Sequence, residues 1–388
     1  MLPRVALLVE TSRNTGRGIL QGIARYARVH GPWSFYTYER ELHSGVPRWM
    51  NSWKGDGIIA RIEDQQMADR LLRIGCPVID VLGQVSLQGV YSFDTSSPGT
   101  AGRAAEFFLN AGFRHFAFCG YKGIPFSDRR EVTFEKQLRK AGHPVRIFQS
   151  KAPPGRAEDI QDTEQMGLER ATAIVAWIRK QPRPLAVFAC NDTRAQQVLN
   201  ACREHGIRVP EEIAVLGVDN DEVLCNLCDP PLSSIELDAD GLGFRAAALL
   251  HRLMRGAGPG RESFVVEPAR LVERGSTDVV AIEDPITVGA VRYIRDHVGE
   301  GIAVKDVLAH TERSRSDLEQ RFRRWLGRSI REEILRRRMD RVCHLLRETG
   351  LRLDQIADRA GFAGSAHLCR LFQKRLGQTP TTYRNLQK

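Results

Sequence analysis

The sequence predicts an α/β body of two lobes built on parallel sheets, followed by an all-α domain with two helix-turn-helix units. Three observations carry this. Residues 1 to 270 alternate short apolar runs with helical patterns, the tail contains one amphipathic helix twice, and the chain's excess of positive charge is confined to that tail.

At 388 residues the chain exceeds what one hydrophobic core supports, since cores stop growing at roughly 250 to 300 residues. In the body "RVALLV" precedes "ILQGIARYAR", "GDGIIAR" precedes "MADRLLRIG", and "CPVIDV" follows. "AAEFFLNAG", "HFAFCG", "EVTFEKQLRKAG", "ATAIVAWIRK", "LAVFAC", "RAQQVLNACREHG", "EEIAVLGVDN" and "GFRAAALLHRLMRG" continue the rhythm. Strand, helix, strand at this pace means right-handed βαβ units and parallel sheets covered on both faces. So much chain implies two lobes with a cleft between them, and ligands of such folds sit outside the carboxyl ends of the strands. Strand signals stop after "VEPARLVERGSTD", which places the body at 1–277, a linker at 278–286 and the helical domain at 287–388.

The formal charge of +10 divides unevenly: residues 286 to 388 hold 22 Lys and Arg against 12 Asp and Glu, and the rest holds 35 of each. A basic module on a neutral body implies a polyanion as partner, because clustered cations release the counterions of phosphates. An Arg-rich solvated surface is the plainer alternative. The start, "MLPRVALLVETSRN", has no basic region followed by an apolar stretch, and no apolar run reaches the roughly 18 residues of a membrane span. A cytoplasmic protein away from membranes, with reduced cysteines, is expected. Of its eight cysteines only Cys225 and Cys228 form a CxxC, and no second pair follows to complete a metal tetrahedron, so neither metal nor cofactor is expected.

Shifting the tail by 50 residues superposes Leu318 on Leu368, Phe322 on Phe372, Leu326 on Leu376 and Gly327 on Gly377. In each copy the apolar positions share one helical face and the glycine supplies a left-handed stop. "VKDVLAH" and "LDQIADRA" precede the copies as shorter helices, and Ser314 and Ser365 stand where caps are needed. A helix, turn and helix, twice over, is a DNA-reading arrangement. With the apolar face inward, Ser316, Glu319, Gln320 and Arg323 face outward from the first copy. Ser365, Ala366, His367, Cys369, Arg370 and Gln373 are the candidates on the second. Arg reads guanine bidentately and Gln reads adenine. Between the copies Arg336, Arg337 and Arg338 are candidates for phosphate contact, Arg337 foremost.

These residues resemble the AraC/XylS family of transcription regulators. The second copy carries the resemblance in Ile356, Ala357, Gly361, Phe362, Phe372, Gly377, Thr379, Pro380, Tyr383 and Arg384. The first departs from it, with Glu312 and Arg313 where the family usually has glycine and an apolar residue. The body resembles the periplasmic-binding-protein fold of the LacI/GalR repressors in "GFRHFAFCG", "ACNDTRAQQVLNACREHGIRVPEEIAVLGVDN" and "PPLSSIELDADGLGFRAAALLHRLM". With the closing "RGSTD", the combination resembles regulators of the xylose-responsive type. That resemblance implies a xylose-like sugar as effector, double-stranded operator DNA as target, a homodimer, and lobe closure coupled to DNA binding.

A sugar pocket needs carboxylates, amides and guanidinium forks at strand ends, because each unpaired polar group costs about 1 to 3 kcal/mol. The candidates are Glu10, Ser12 and Arg17 after the first strand, Arg61 after "GIIA", Asp192 in "CNDT", and Asp219 with Asn220 in "GVDND". Arg130 joins them as the residue matching the family's ligand-binding arginine. Helix capping is the alternative for the two aspartates, and surface ion pairing for Arg17 and Arg61. A nicotinamide enzyme is the rival suggested by Gly16, Gly18 and Gly22, although their spacing departs from G-x-G-x-x-G by one residue. HExxH, GxSxG and Walker A sequences are missing, which leaves no common catalytic motif. A sugar-binding transport protein is the other rival.

Overall fold

The computed structural model describes residues 2–42, 44–83, 90–151, 164, 171–256, 263–278 and 284–386. The chain forms two compact units, Met1–Asp278 and Val279–Lys388.

The first unit holds two six-stranded sheets. One contains β1 (Arg4–Leu8), β2 (Ser34–Tyr36), β3 (Gly57–Ala60), β4 (Val78–Val81), β5 (Tyr91–Thr95) and β11 (Ser263–Val266), in the order β11-β5-β4-β3-β1-β2. The other contains β6 (His115–Lys122), β7 (Val145–Lys151), β8 (Leu185–Ala189), β9 (Ile213–Val218), β10 (Ser233–Glu236) and β12 (Arg270–Val272), in the order β12-β10-β9-β8-β6-β7. Every pairing is parallel except β10 with β12. The period of two explains why both faces are covered. Val5 and Leu7 face a core shared with α1 (Asn14–His30) and α8 (Ala239–Met254), whereas Ala6 and Leu8 face a core shared with α2 (Gln65–Leu72).

Helices α3 (Ser97–Asn110), α4 (Pro125–Lys140), α5 (Ala171–Ile178), α6 (Asp192–Glu204) and α7 (Glu222–Leu227) belong to the second lobe. The chain passes between the lobes three times, after β5, after β10 and after β11. The crossings are tied side by side: Ser96 N donates to Val266 O at 2.8 Å, and Ala269 N to Glu236 O at 2.9 Å.

The glycines that suggested a dinucleotide loop have a packing role. A Cβ on Gly16 would lie 2.0 Å from Glu10 O, and one on Gly22 would lie 2.0 Å from Asp240 O. Gly243 on α8 meets Ile19 O in the same way, so α1 and α8 touch backbone to backbone.

The second unit begins with α9 (Pro285–His297), so the last two residues assigned to the linker are helical. Asp284 caps it, accepting from Thr287 N at 3.1 Å, and residues 279–283 of the linker lie outside the described residues. After a 3-10 turn at Val298–Glu300 come α10 (Val304–Thr311), α11 (Arg315–Leu326), α12 (Ile330–Glu348), α13 (Leu353–Arg359), α14 (Ser365–Leu376) and α15 (Pro380–Leu386). Two separate cores hang on α12. Ile330 and Ile334 close the core of α9, α10 and α11 around Leu318 and Phe322, while Met339, Val342 and Leu346 close that of α13 and α14 around Leu368 and Phe372. Gly327 and Gly377 end α11 and α14 with φ of 66° and 70°.

The two turns differ. Ser314 caps α11, accepting from Asp317 N at 3.3 Å. Ser365 is instead the first residue of α14, where Gly364 holds the cap position, and its hydroxyl donates to Asp354 at 2.5 Å. In the second unit Gly361 supplies the left-handed residue (φ 71°); in the first, Glu312 does so with φ 51°. A β-carbon in that region costs about 1 kcal/mol or more. Glu312→Gly is therefore expected to raise the stability of the helical unit by about 0.5 to 1 kcal/mol, read as a higher denaturant midpoint at unchanged slope. An unchanged or lower midpoint would show that the glutamate side chain offsets its own backbone strain.

Candidate functional site

The loops at the carboxyl ends of β1, β3, β5 and β9 meet α4 and the start of α6 around one cavity. Glu10, Arg13 and Thr15 enter it from the β1 side, Arg61 from β3, Asp94 from β5, and Leu82 and Leu237 add apolar wall. Phe126, Arg129 and Arg130 come from α4, with Asn191 and Asp219 after β8 and β9.

Each charge there has a distinct setting. Glu10 is 1% exposed and accepts from Arg61 Nη1 at 2.5 Å, while its Oε2 and the Arg61 Nε have no hydrogen-bond partner among the described residues. Arg129 pairs with Asp94 at 3.0 Å. Arg130 is 3% exposed, donates through Nη1 to Cys190 O, lies 5.1 Å from the Phe126 ring centre, and leaves its Nε unpartnered. Burial lowers its affinity for the proton, and Asp219 nearby acts in the opposite direction. Asp219 sits at φ 107°, a strained position at the end of β9. Burial pushes its carboxyl up to about 6 against the opposing pull of Arg130 and Arg13. The cavity thus offers unpaired donors and unpaired acceptors together with one aromatic face, which suits hydroxyl groups that give and take hydrogen bonds.

Polar contacts link the lobes across this site. Arg13 binds Glu164 at 2.7 Å, and Asn14 Nδ2 donates to Asn220 O at 3.2 Å. Arg17 Nη2 stands 3.9 Å from Asp221.

Of the eight residues expected to bind ligand, Glu10, Arg61, Arg130 and Asp219 line this cavity. The other four lie outside its wall. Arg17 is exposed, donates to Thr11 O at 2.9 Å and lines a neighbouring opening; Ser12, also exposed, lines another. Asp192 is buried with both oxygens engaged, by Ser234 Oγ at 2.6 Å and by Asp221 N at 2.9 Å, and burial holds its carboxyl well above the usual range. It fastens the Asp219 loop, while the capping role falls to Asn191, which accepts from Arg194 N at 2.9 Å. Asn220 is committed to Arg274 (2.8 Å) and Glu236 (3.4 Å). Arg13, Asp94, Phe126, Arg129 and Asn191 were missed, although Asp94 ends a strand and Arg129 adjoins a named candidate. Cys225 and Cys228 are buried thiols bonded to Asp192 Oδ2 and Leu224 O, and no metal-holding cluster occurs among the described residues.

On the helical unit Ser316, Gln320 and Arg323 are exposed on α11, and Ala366, His367, Arg370 and Gln373 on α14. Glu319 is half-buried and receives Ile330 N at 3.4 Å; Cys369 packs on the second core. The arginines of α12 are also corrected. Arg337 is 6% exposed and bonded to the buried Glu333 at 2.9 Å, Arg336 shares that carboxylate, and Arg338 donates to Ile302 O at 2.8 Å. Arg337 is held by the carboxylate one helical turn before it.

Three domain families match in sequence along the chain: the XylR N-terminal domain over residues 4–94, a periplasmic binding protein-like domain over 105–277, and a helix-turn-helix domain over 307–386. The chain therefore joins a periplasmic binding protein-like sensor to a helix-turn-helix domain. It is similar to the xylose operon regulatory protein of Haemophilus influenzae, 28% identical over 98% of each chain. The protein of that name from Escherichia coli K12 is 28% identical over 99% of this chain and 97% of its own. The solved structure of a xylose-binding transcription activator superposes with a TM-score of 0.75 at 26% identity, over 100% of this chain and 98% of the other. A LacI family regulator from Enterococcus faecium shares the sensor fold, with a TM-score of 0.57 at 17% identity over 72% of this chain and 99% of the other. These full-length relatives are DNA-binding regulators, and the enzyme reading is set aside on that ground. Among the described residues no helix is long and apolar enough to cross a membrane.

Proposed function

We propose that the chain senses xylose or a closely related small sugar in the cavity between its lobes and thereby controls the genes that consume it. The observation that carries the reading is one cavity walled by Glu10, Arg61 and Arg130, whose buried Glu10 Oε2, Arg61 Nε and Arg130 Nε have no hydrogen-bond partner among the described residues. Leaving them unpaired costs about 1 to 3 kcal/mol each, and a ligand bearing several hydroxyls relieves that cost. Arg13, Asn14 and Arg17 contact the second lobe only when the cleft is narrow, so a sugar that fills it stabilises the closed body. Its leverage on DNA binding is limited to its differential affinity for the closed and open states.

In this reading Ser316, Gln320 and Arg323 on α11 and Ala366, His367, Arg370 and Gln373 on α14 face successive segments of an operator's major groove, roughly 34 Å apart. Pairing of two chains through the sensor would set four such helices on one site, and the protein would act in the cytoplasm.

Thermal unfolding of the full chain against pentoses, hexoses and uronic acids tests the effector. A ligand at 100 times its dissociation constant adds about 2.7 kcal/mol, a shift of several degrees, and D-xylose or a near relative should give the largest. Equal melting temperatures with every sugar would sink the sensor reading.

A further inference from the structure

We propose that Arg338 clamps the two helix-turn-helix units at one separation, so that the chain reads two DNA boxes only at a fixed spacing. The inference rests on the DNA-reading function above and adds a specificity that no base-contacting residue supplies.

Arg338 lies midway along α12, between the two cores. Its Nη2 donates at 2.8 Å to the carbonyl of Ile302, a core residue of the first unit just before α10. Its guanidinium carbon lies 5.7 Å from the ring centre of Phe362, a core residue in the turn of the second unit. One side chain therefore touches both units at once.

The backbone closes the same seam. A Cβ on Gly361 would stand 2.3 Å from Val298 O and 2.9 Å from Gly301 N, so the second turn rests directly on the segment that leads into α10. Arg341 Nε, one helical turn beyond Arg338, donates to Arg359 O at 2.6 Å. Without this seam the units would be joined by α12 alone, and long helices bend.

The chemistry of Arg338 argues for geometry over stability. It is half-buried, and among the described residues its Nε has no partner and no carboxylate bonds it. An aliphatic side chain would fill the space without the desolvation cost of a guanidinium. What the arginine adds is a long planar fork that reaches a carbonyl on one side and a ring face on the other.

One base pair inserted between two boxes turns the second by about 34° around the duplex, and a clamped pair of helices cannot follow that rotation. The test selects sites for the full-length protein from a random-sequence duplex library, then measures affinity for the selected site with one base pair inserted or deleted between its boxes. The natural chain should lose on the order of ten-fold in either case. Arg338→Met and Arg338→Gln should shrink that loss to about two-fold while still binding the original spacing, and Arg338→Lys, which keeps a donor toward Ile302, should restore much of it.

Circular dichroism melting checks that each variant is folded, and the glutamine variant serves if the methionine one is not. Arg370→Ala runs in parallel and should relax selection at one base position with the spacing penalty intact. Folded Arg338→Met or Arg338→Gln with the full spacing penalty would overturn the clamp. An unchanged selection by Arg370→Ala would instead fault the reading face of α14.

Discussion

Arg130→Met is expected to abolish the thermal shift produced by the sugar that stabilises the natural chain, while leaving the ligand-free protein at least as stable. The guanidinium is buried, held by one carbonyl and unpartnered at Nε. Stability without ligand should not fall, because the desolvation of a buried charge disappears and methionine keeps most of the packing against Phe126. Affinity should fall, because a charge-assisted bond to a ligand hydroxyl is worth about 2 to 3 kcal/mol, or roughly 30- to 150-fold. Calorimetric titration measures the loss directly. A variant that binds as tightly as the natural chain would place the sugar elsewhere.

Glu333→Ala should unfold the helical unit at far lower temperature than the sensor. Glu333 is buried, accepts from Arg336 and from Arg337 at 2.9 Å each, and forms an ion pair with Arg328 at 2.8 Å. Arg337 is itself buried, so removing the carboxylate takes away the acceptor that these cations share, with Asp340 still bonded to Arg336 at 3.1 Å. Breaking one side of such a pair costs about 3 to 5 kcal/mol, a large fraction of what a domain of this size possesses. The transition of the helical unit should drop by roughly 15 °C or more, that of the sensor should stay, and DNA affinity should vanish near the new midpoint. Scanning calorimetry separates the two transitions. Two unmoved transitions would mean that Glu333 and its arginines contribute nothing net.

The parts of this molecule legible in its sequence are those set by local period. Alternation along "RVALLV" places Val5 and Leu7 on one face and Ala6 and Leu8 on the other, and the strand-end rule leads to Glu10, Arg61 and Asp219. The fifty-residue repeat locates α11 and α14, since their cores use the same two positions, Leu318 and Phe322 in one and Leu368 and Phe372 in the other, while the third, Leu376, is exposed. Illegible were the residues whose role depends on partners distant in the chain. Asp192 looks like a strand-end ligand until Ser234 and Asp221 are seen to consume both its oxygens. Gly22 looks like part of a phosphate loop until α8 arrives against it. Arg337 was misread although its partner is local, because an i, i+4 Glu–Arg pair has the same spacing on a solvated face as on a buried one.

The three crossings between the lobes carry a last consequence. Strands bonded side by side, Ser96 to Val266 and Glu236 to Ala269, resist sliding and twisting yet permit flexing about the line they share. The paired crossings are therefore the natural hinge line of the sensor, the place where a small change of backbone angle swings one lobe against the other.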